Sequence, residues 1–204
     1  GSGADALYFF AKDCYGNFYY NTRVGHKHRC LGQRDILREV LEEAAKIDLP
    51  IIAYYSVIWD NRAAEKHPDW RMKGPEGNYL GDAVTTDNVR WQFVCHNSGY
   101  FDYACSAIEE VAKNYPVSGF HLDMFNMDFG GLSCYCDNCK RKFKELTGRD
   151  LPVKPSTDEV WRQFLEFRYD SVERYMLRLR EADGAAPAAK GENTVAGQQG
   201  QRNK

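Results

Sequence analysis

The sequence predicts an α/β fold built from parallel β/α units. Three observations carry that reading. Short apolar strands alternate with amphipathic helical stripes, the return into the second strand is as short as Leu49-Pro50, and the long aromatic-rich segments follow strands. No glycine fingerprint for a dinucleotide follows the first strand, which weighs against a nucleotide-binding crevice. A (β/α)8 barrel keeps its long loops at the C-terminal ends of its strands, and this pattern fits it. Three strands are legible in the 204 residues, whereas such a barrel needs eight and roughly 250 residues. The expectation is an incomplete barrel, its N-terminal half, over residues 4–182. Residues 183–204, where Ala, Gly, Gln, Asn and Lys dominate without period, read as a disordered or non-native tail.

Residues 6–11 form a short, continuous, aromatic-rich run and predict a buried first strand. A polar, aromatic loop over 12–32 follows. Residues 33–48 carry Ile36, Leu37, Val40, Leu41, Ala44 and Ile47 at helical spacing, with Glu39, Glu42, Glu43 and Lys46 as the solvated face. Pro50 opens a second strand over 51–58. The segment 59–98, with Trp59, Asp60, His67 and Trp70, is long enough that a compact domain would use it for function. A helix over 100–114 precedes a third strand over 117–124. A cysteine-bearing loop leads to a helix over 137–146 stopped by Gly148, and a last helix runs from about 157 to 181.

Composition narrows the function. Net charge is −2, which argues against nucleic acid or an anionic membrane as the main partner. No apolar stretch reaches the roughly 18 residues of a membrane span, and no signal peptide opens the chain. Aromatics make up 14 % of the residues, which serves either a core or stacking on sugar rings. Seven cysteines disfavour a fully paired disulfide framework, and a reducing, cytoplasmic location is the expectation.

Two constellations carry chemistry. Cys95 precedes the helix that leads to strand three, and Cys134, Cys136 and Cys139 follow that strand. Neighbouring parallel strands bring such loops side by side, so the four thiols predict a closed tetrahedral Zn²⁺ site of structural type, with buried free thiols as the alternative. Cys14, Cys30 and Cys105 read as ordinary, Cys105 as core. The second constellation is Asp123, which ends the third strand, where barrel enzymes place catalytic groups; the competing reading is a carboxylate capping the next turn. His121 lies two residues back on the same face, either packed or in contact with substrate. Lys12, Tyr55 and Trp59 end strands at the same rim and, with His28 in a loop, are the candidate substrate contacts. Alternation requires Tyr54 and Tyr55 to face opposite ways. No partner carboxylic acid for Asp123 is evident; Asp128 is a weak candidate for that role and reads first as a loop residue.

The segments 10–20, 52–60, 67–70, 94–98 and 119–123 resemble a family of TIM-barrel glycoside hydrolases related to the α-L-fucosidases of family 29. The likeness covers most of residues 4–150. Lys12 and the turn Gly16-Asn17-Phe18 are similar to a fucosidase strand end, although Asp13 and Cys14 stand where that family has histidines. Tyr54-Tyr55-Ser56 with Trp59 is similar to the next strand, and Asp123 resembles the nucleophile. Cys95-His96-Asn97-Ser98 and the Cys134, Cys136, Cys139 spacing resemble the zinc cluster of family 42 β-galactosidases, with His96 in place of a proline. The resemblance implies a carbohydrate substrate and a retaining mechanism, with an acid/base on a strand outside this chain. A missing barrel half or a homo-oligomer would cover the open sheet. The alternative is a non-catalytic, zinc-stabilised β/α module that binds a carbohydrate or a protein. A thiol redox role for Cys136 and Cys139 is disfavoured by the two further thiols.

Overall fold

A computed structural model describes residues 3–81, 90–125 and 133–184. Asp128, part of the segment 59–98 and the stretch 185–204 of the expected tail lie outside the described residues. In chain order the elements are β1 (Leu7–Lys12), β2 (Asn17–Phe18), β3 (His26–Lys27), α1 (Ile36–Ala45), β4 (Ile51–Ser56), α2 (Asn61–Lys66), α3 (Tyr100–Asn114), β5 (Gly119–Asp123), α4 (Asp137–Thr147) and α5 (Glu159–Ala182).

Local chemistry explains the helix boundaries. Asp35 caps α1 by accepting the amide of Arg38, and Leu37, Leu41 and Ala44 form its buried stripe. Asp60 and Asp158 cap α2 and α5 in the same way. Helix α4 stops at Gly148, which takes the left-handed conformation (φ 71°) that glycine adopts without strain. The segment 12–32 is more ordered than a loop: it returns through β2 and β3 to extend the sheet. Gly16 makes that return possible. Its φ is 86°, and a Cβ there would run into the carboxylate of Asp60.

The sheet has the order β3-β2-β1-β4-β5, with β1, β4 and β5 parallel. Those three strands follow chain order without reversal, so their helices fall on one side, as in consecutive units of a (β/α)8 barrel rather than a doubly wound sheet. Ala53, Tyr55 and Val57 point to the helix side and are fully buried. Many of the aromatic residues end there: Phe18, Tyr20, Tyr55, Tyr100, Phe143, Phe164 and Tyr175 are all core. The opposite face is not covered by described residues; Tyr8, Phe10 and His121 are exposed there and Tyr54 is half-buried.

A register shift between Phe10 and Lys12 changes how β1 meets β4. Phe10 pairs with Tyr54, yet Lys12 pairs with Tyr55. One irregular residue at Ala11 therefore turns Lys12 to the helix side of the sheet.

Candidate functional site

Asp123 ends β5 opposite Ser56 of β4. Its Oδ2 accepts a 2.5 Å hydrogen bond from the Tyr54 hydroxyl, and its carbonyl accepts the Val57 amide at 3.0 Å. Tyr54 is held in turn between rings. It stacks on His121 at 5.5 Å and meets Phe10 edge-on at 4.8 Å, while Tyr8 meets His121 at 5.2 Å. Burial, then the bond to Asp123, pushes the Tyr54 phenol well above its ordinary range. It is a donor to the carboxylate at any ordinary pH. Met124, directly after Asp123, has φ 71°. A methionine in the left-handed region is strained by roughly 1–2 kcal/mol, and such strain concentrates at functional sites.

A second ring of groups adjoins this pair. The Cys14 thiol is pushed up by burial and by Asp13, with a smaller contribution from Asp123. Asp13 organises the turn after β1: its oxygens accept from the amides of Tyr15 and Asn17, the Asn17 side chain and the Tyr19 hydroxyl. Burial, then Asp13, pushes Tyr19 up to about 12. His28 stacks on Tyr19 at 5.5 Å and is half-buried, with its Nδ1 accepting the Cys30 amide. Trp59 packs against Trp91 at 4.1 Å with the rings tilted by 33°, and approaches Tyr15 at 6.0 Å. Tyr15 and Trp91 are exposed, so the three rings form a shelf after β4.

Two expectations need correction. Lys12 and Tyr55 are both fully buried on the helix side and do not share the face of Asp123. Lys12 pairs with Asp60 at 3.1 Å, donates to the Ser56 carbonyl at 2.7 Å, and lies 4.8 Å over the Tyr55 ring. The register shift at Ala11 turns Lys12 away, and alternation along β4 turns Tyr55 away. Tyr54 takes the place expected of Tyr55. The period-two rule says that the neighbours differ, and the pairing of Tyr54 with His121 settles which one faces Asp123.

The four thiols converge. The sulfurs of Cys95, Cys134, Cys136 and Cys139 lie within 4.8 Å of one another and all four residues are buried. Cys95 and Cys139 are 3.4 Å apart. A tetrahedral zinc with Zn–S bonds of about 2.3 Å has sulfur–sulfur edges of about 3.8 Å, so the donor set fits a soft divalent ion. Hydrogen bonds from Cys134 and its neighbours pull Cys136 far below the thiol range, whereas mutual contacts push Cys95 and Cys139 far above it. One shared ion would remove that competition, because bound thiols are deprotonated outright. All seven cysteines are free, and Cys105 is core as expected. No helix among the described residues is long and apolar enough to cross a membrane.

Known proteins share this architecture. An α-L-fucosidase isoenzyme 2 from Paenibacillus thiaminolyticus superposes with a TM-score of 0.74 at 24 % identity, over 90 % of this chain and 26 % of that one. A hypothetical protein from Ruminiclostridium thermocellum gives 0.58 at 13 % identity, over 92 % and 81 %. A β-galactosidase from Bacillus circulans sp. alkalophilus gives 0.53 at 18 %, over 81 % and 28 %. At these identities the likeness is one of fold, and the chain spans about a quarter of the length of the two glycosidases. No curated protein matches the chain. The sequence profile described as hypothetical glycosyl hydrolase 6 matches residues 2–124, more than half of the chain, and runs from before β1 through Asp123 at the end of β5. The chain belongs to that glycosyl hydrolase family.

Proposed function

We propose that this chain carries the nucleophile half of a retaining glycoside hydrolase site, stiffened by a structural zinc at Cys95, Cys134, Cys136 and Cys139. The observation that carries the reading is Asp123 at the end of the third parallel strand, ionisable, half-buried and gripped by the Tyr54 hydroxyl. Asp123 would attack the anomeric carbon and form a glycosyl ester. A second carboxylic acid about 5 Å away would protonate the leaving oxygen and then activate water. Asp13 does not suit that second role, because its oxygens are occupied in holding the turn after β1. We place the acid/base on a later strand outside this chain. His121, His28 and Trp59 would touch the sugar, with the exposed shelf of Tyr15, Trp59 and Trp91 offering ring faces to its C–H groups.

Zinc would pin the 133–139 loop to the 95–98 loop and take no part in bond cleavage. The free thiols suit a reducing cytoplasm. The exposed Tyr8 and Phe10 suit an assembly in which further strands or a second copy cover the sheet. In the whole protein, an aryl glycoside substrate should give a first product that keeps its anomeric configuration. Asp123→Ala should abolish turnover, and added azide should restore it with formation of a glycosyl azide. Inversion at the anomeric carbon, or an active Asp123→Ala variant, would discard the mechanism. The isolated chain should bind sugar without turning it over. Binding without hydrolysis in the whole protein as well would instead favour a carbohydrate-binding module.

A further inference from the structure

We propose that Asn97 is the positioning residue of the four-thiol site, and that through helix α5 it transmits metal occupancy to the strand end carrying Asp123. This rests on reading the thiols as a metal site. Asn97 is 2 % exposed, and its polar side-chain atoms are both in use. Its amide N–H donates to Cys95 Sγ at 3.3 Å. Its Nδ2 donates to Cys139 Sγ at 3.5 Å and to Ser171 Oγ at 3.0 Å. Its Oδ1 accepts from Arg174 Nη2 at 2.9 Å and from Lys142 Nζ at 3.5 Å. One residue thus touches two of the four sulfurs, Cys95 through its backbone N–H and Cys139 through its side chain, and that side chain also reaches two residues of α5.

Charge explains why this arrangement belongs to a metal site. Four thiolates around a divalent cation leave a formal charge of two minus. Such a group needs N–H donors at sulfur and cations close by. Asn97 supplies the donors and holds Lys142 and Arg174, the two cations, at its own oxygen.

The path continues inward from the neighbouring residue. His96 stacks on Tyr175 of α5 at 5.1 Å with the rings 8° from parallel. The Tyr175 hydroxyl donates to the Val57 carbonyl at 2.8 Å, and the Val57 amide donates to the Asp123 carbonyl at 3.0 Å. His96, Tyr175 and Val57 are all buried. Each link is a direct ring or hydrogen-bond contact, and the path begins beside Cys95 and Asn97. Because the ion binds the folded arrangement, its free energy is available to hold α5 and the end of β4 in place.

The test uses the chain loaded with zinc, with chelator competition for affinity and cobalt substitution for spectroscopy. Asn97→Ala should bind zinc about 10–100-fold more weakly, the usual cost of removing an outer-sphere partner, and should shift the thiolate-to-cobalt charge-transfer band. Arg174→Met should weaken zinc in the same direction, and Arg174→Lys should restore it; this pair decides the matter if Asn97→Ala does not fold. Stripping zinc from the native chain should speed amide exchange in α5 and at Val57. In Tyr175→Phe, which leaves the thiols intact, Val57 should exchange at one rate with or without metal. An Asn97→Ala chain with native zinc affinity and an unshifted cobalt spectrum overturns the proposal, as does a Val57 amide indifferent to metal in the native chain. A native chain that takes up no zinc removes the metal reading and this proposal together.

Discussion

The buried pair Lys12–Asp60 makes a sharp prediction about what holds the rim together. Both side chains are 0 % exposed and their charged atoms are 3.1 Å apart. Lys12 also donates to the carbonyls of Ser56 and Trp59 at 2.7 and 3.3 Å, tying β1 to the chain leaving β4. Lys12→Met would remove the cation and leave Asp60 with the Tyr100 hydroxyl at 3.3 Å and the Ala63 amide at 2.8 Å. Breaking one side of a buried pair costs about 3–5 kcal/mol. Because Asp60 keeps two donors, the expected loss is about 3 kcal/mol. With a urea slope of about 2 kcal/mol per molar, the midpoint should fall by about 1.5 M. The double variant Lys12→Met, Asp60→Asn should recover about 2 kcal/mol of that loss, read by circular dichroism. A single-variant loss below about 1 kcal/mol, the size seen for exposed pairs, would show that the pair does not hold the rim.

Three further outcomes are expected of the same structure. Met124→Gly should raise stability by about 1 kcal/mol through relief of the positive φ, measured as an increase in the urea midpoint; an unchanged or lower midpoint would mean that the methionine side chain outweighs the strain. Tyr54 and Tyr19 have raised values, so the stability they contribute is fully present below about pH 10. It is lost as pH rises through about 12 for Tyr19. The buried tyrosines should therefore ionise late and together with unfolding, and a smooth titration of all thirteen tyrosines near pH 10 would contradict the burial. Cys136→Ser should cut zinc stoichiometry and lower the melting temperature of the zinc-loaded chain far more than that of the stripped chain. Equal effects in the two states would remove the metal from the explanation.

Much of this architecture is legible in the residues because long amphipathic stripes and short apolar runs are strong local signals. Helix α3 spans the predicted residues 100–114, and β4 and β5 lie inside the predicted runs. The thiol cluster is legible for a different reason: close cysteine spacing plus adjacent parallel strands constrains where the loops meet. The two-residue strands β2 and β3 and the six-residue α2 are too short for any periodicity to reveal. The facing of Lys12 escapes as well, because a single irregular residue at Ala11 reverses the alternation and leaves no mark in composition. Tyr54 and Tyr55 are chemically equal neighbours, and only pairing with β5 distinguishes them. Trp91 and Tyr15 become a shelf only through long-range folding of segments that carry little order signal of their own.

The most direct measurement treats the whole protein with an activated 2-fluoro glycoside and maps the labelled peptide by mass spectrometry. One covalent sugar per active site is expected, attached to the side chain at position 123 and missing when that residue is alanine. A label on any other carboxylate, or turnover that leaves no ester on the protein, would contradict Asp123 as the nucleophile.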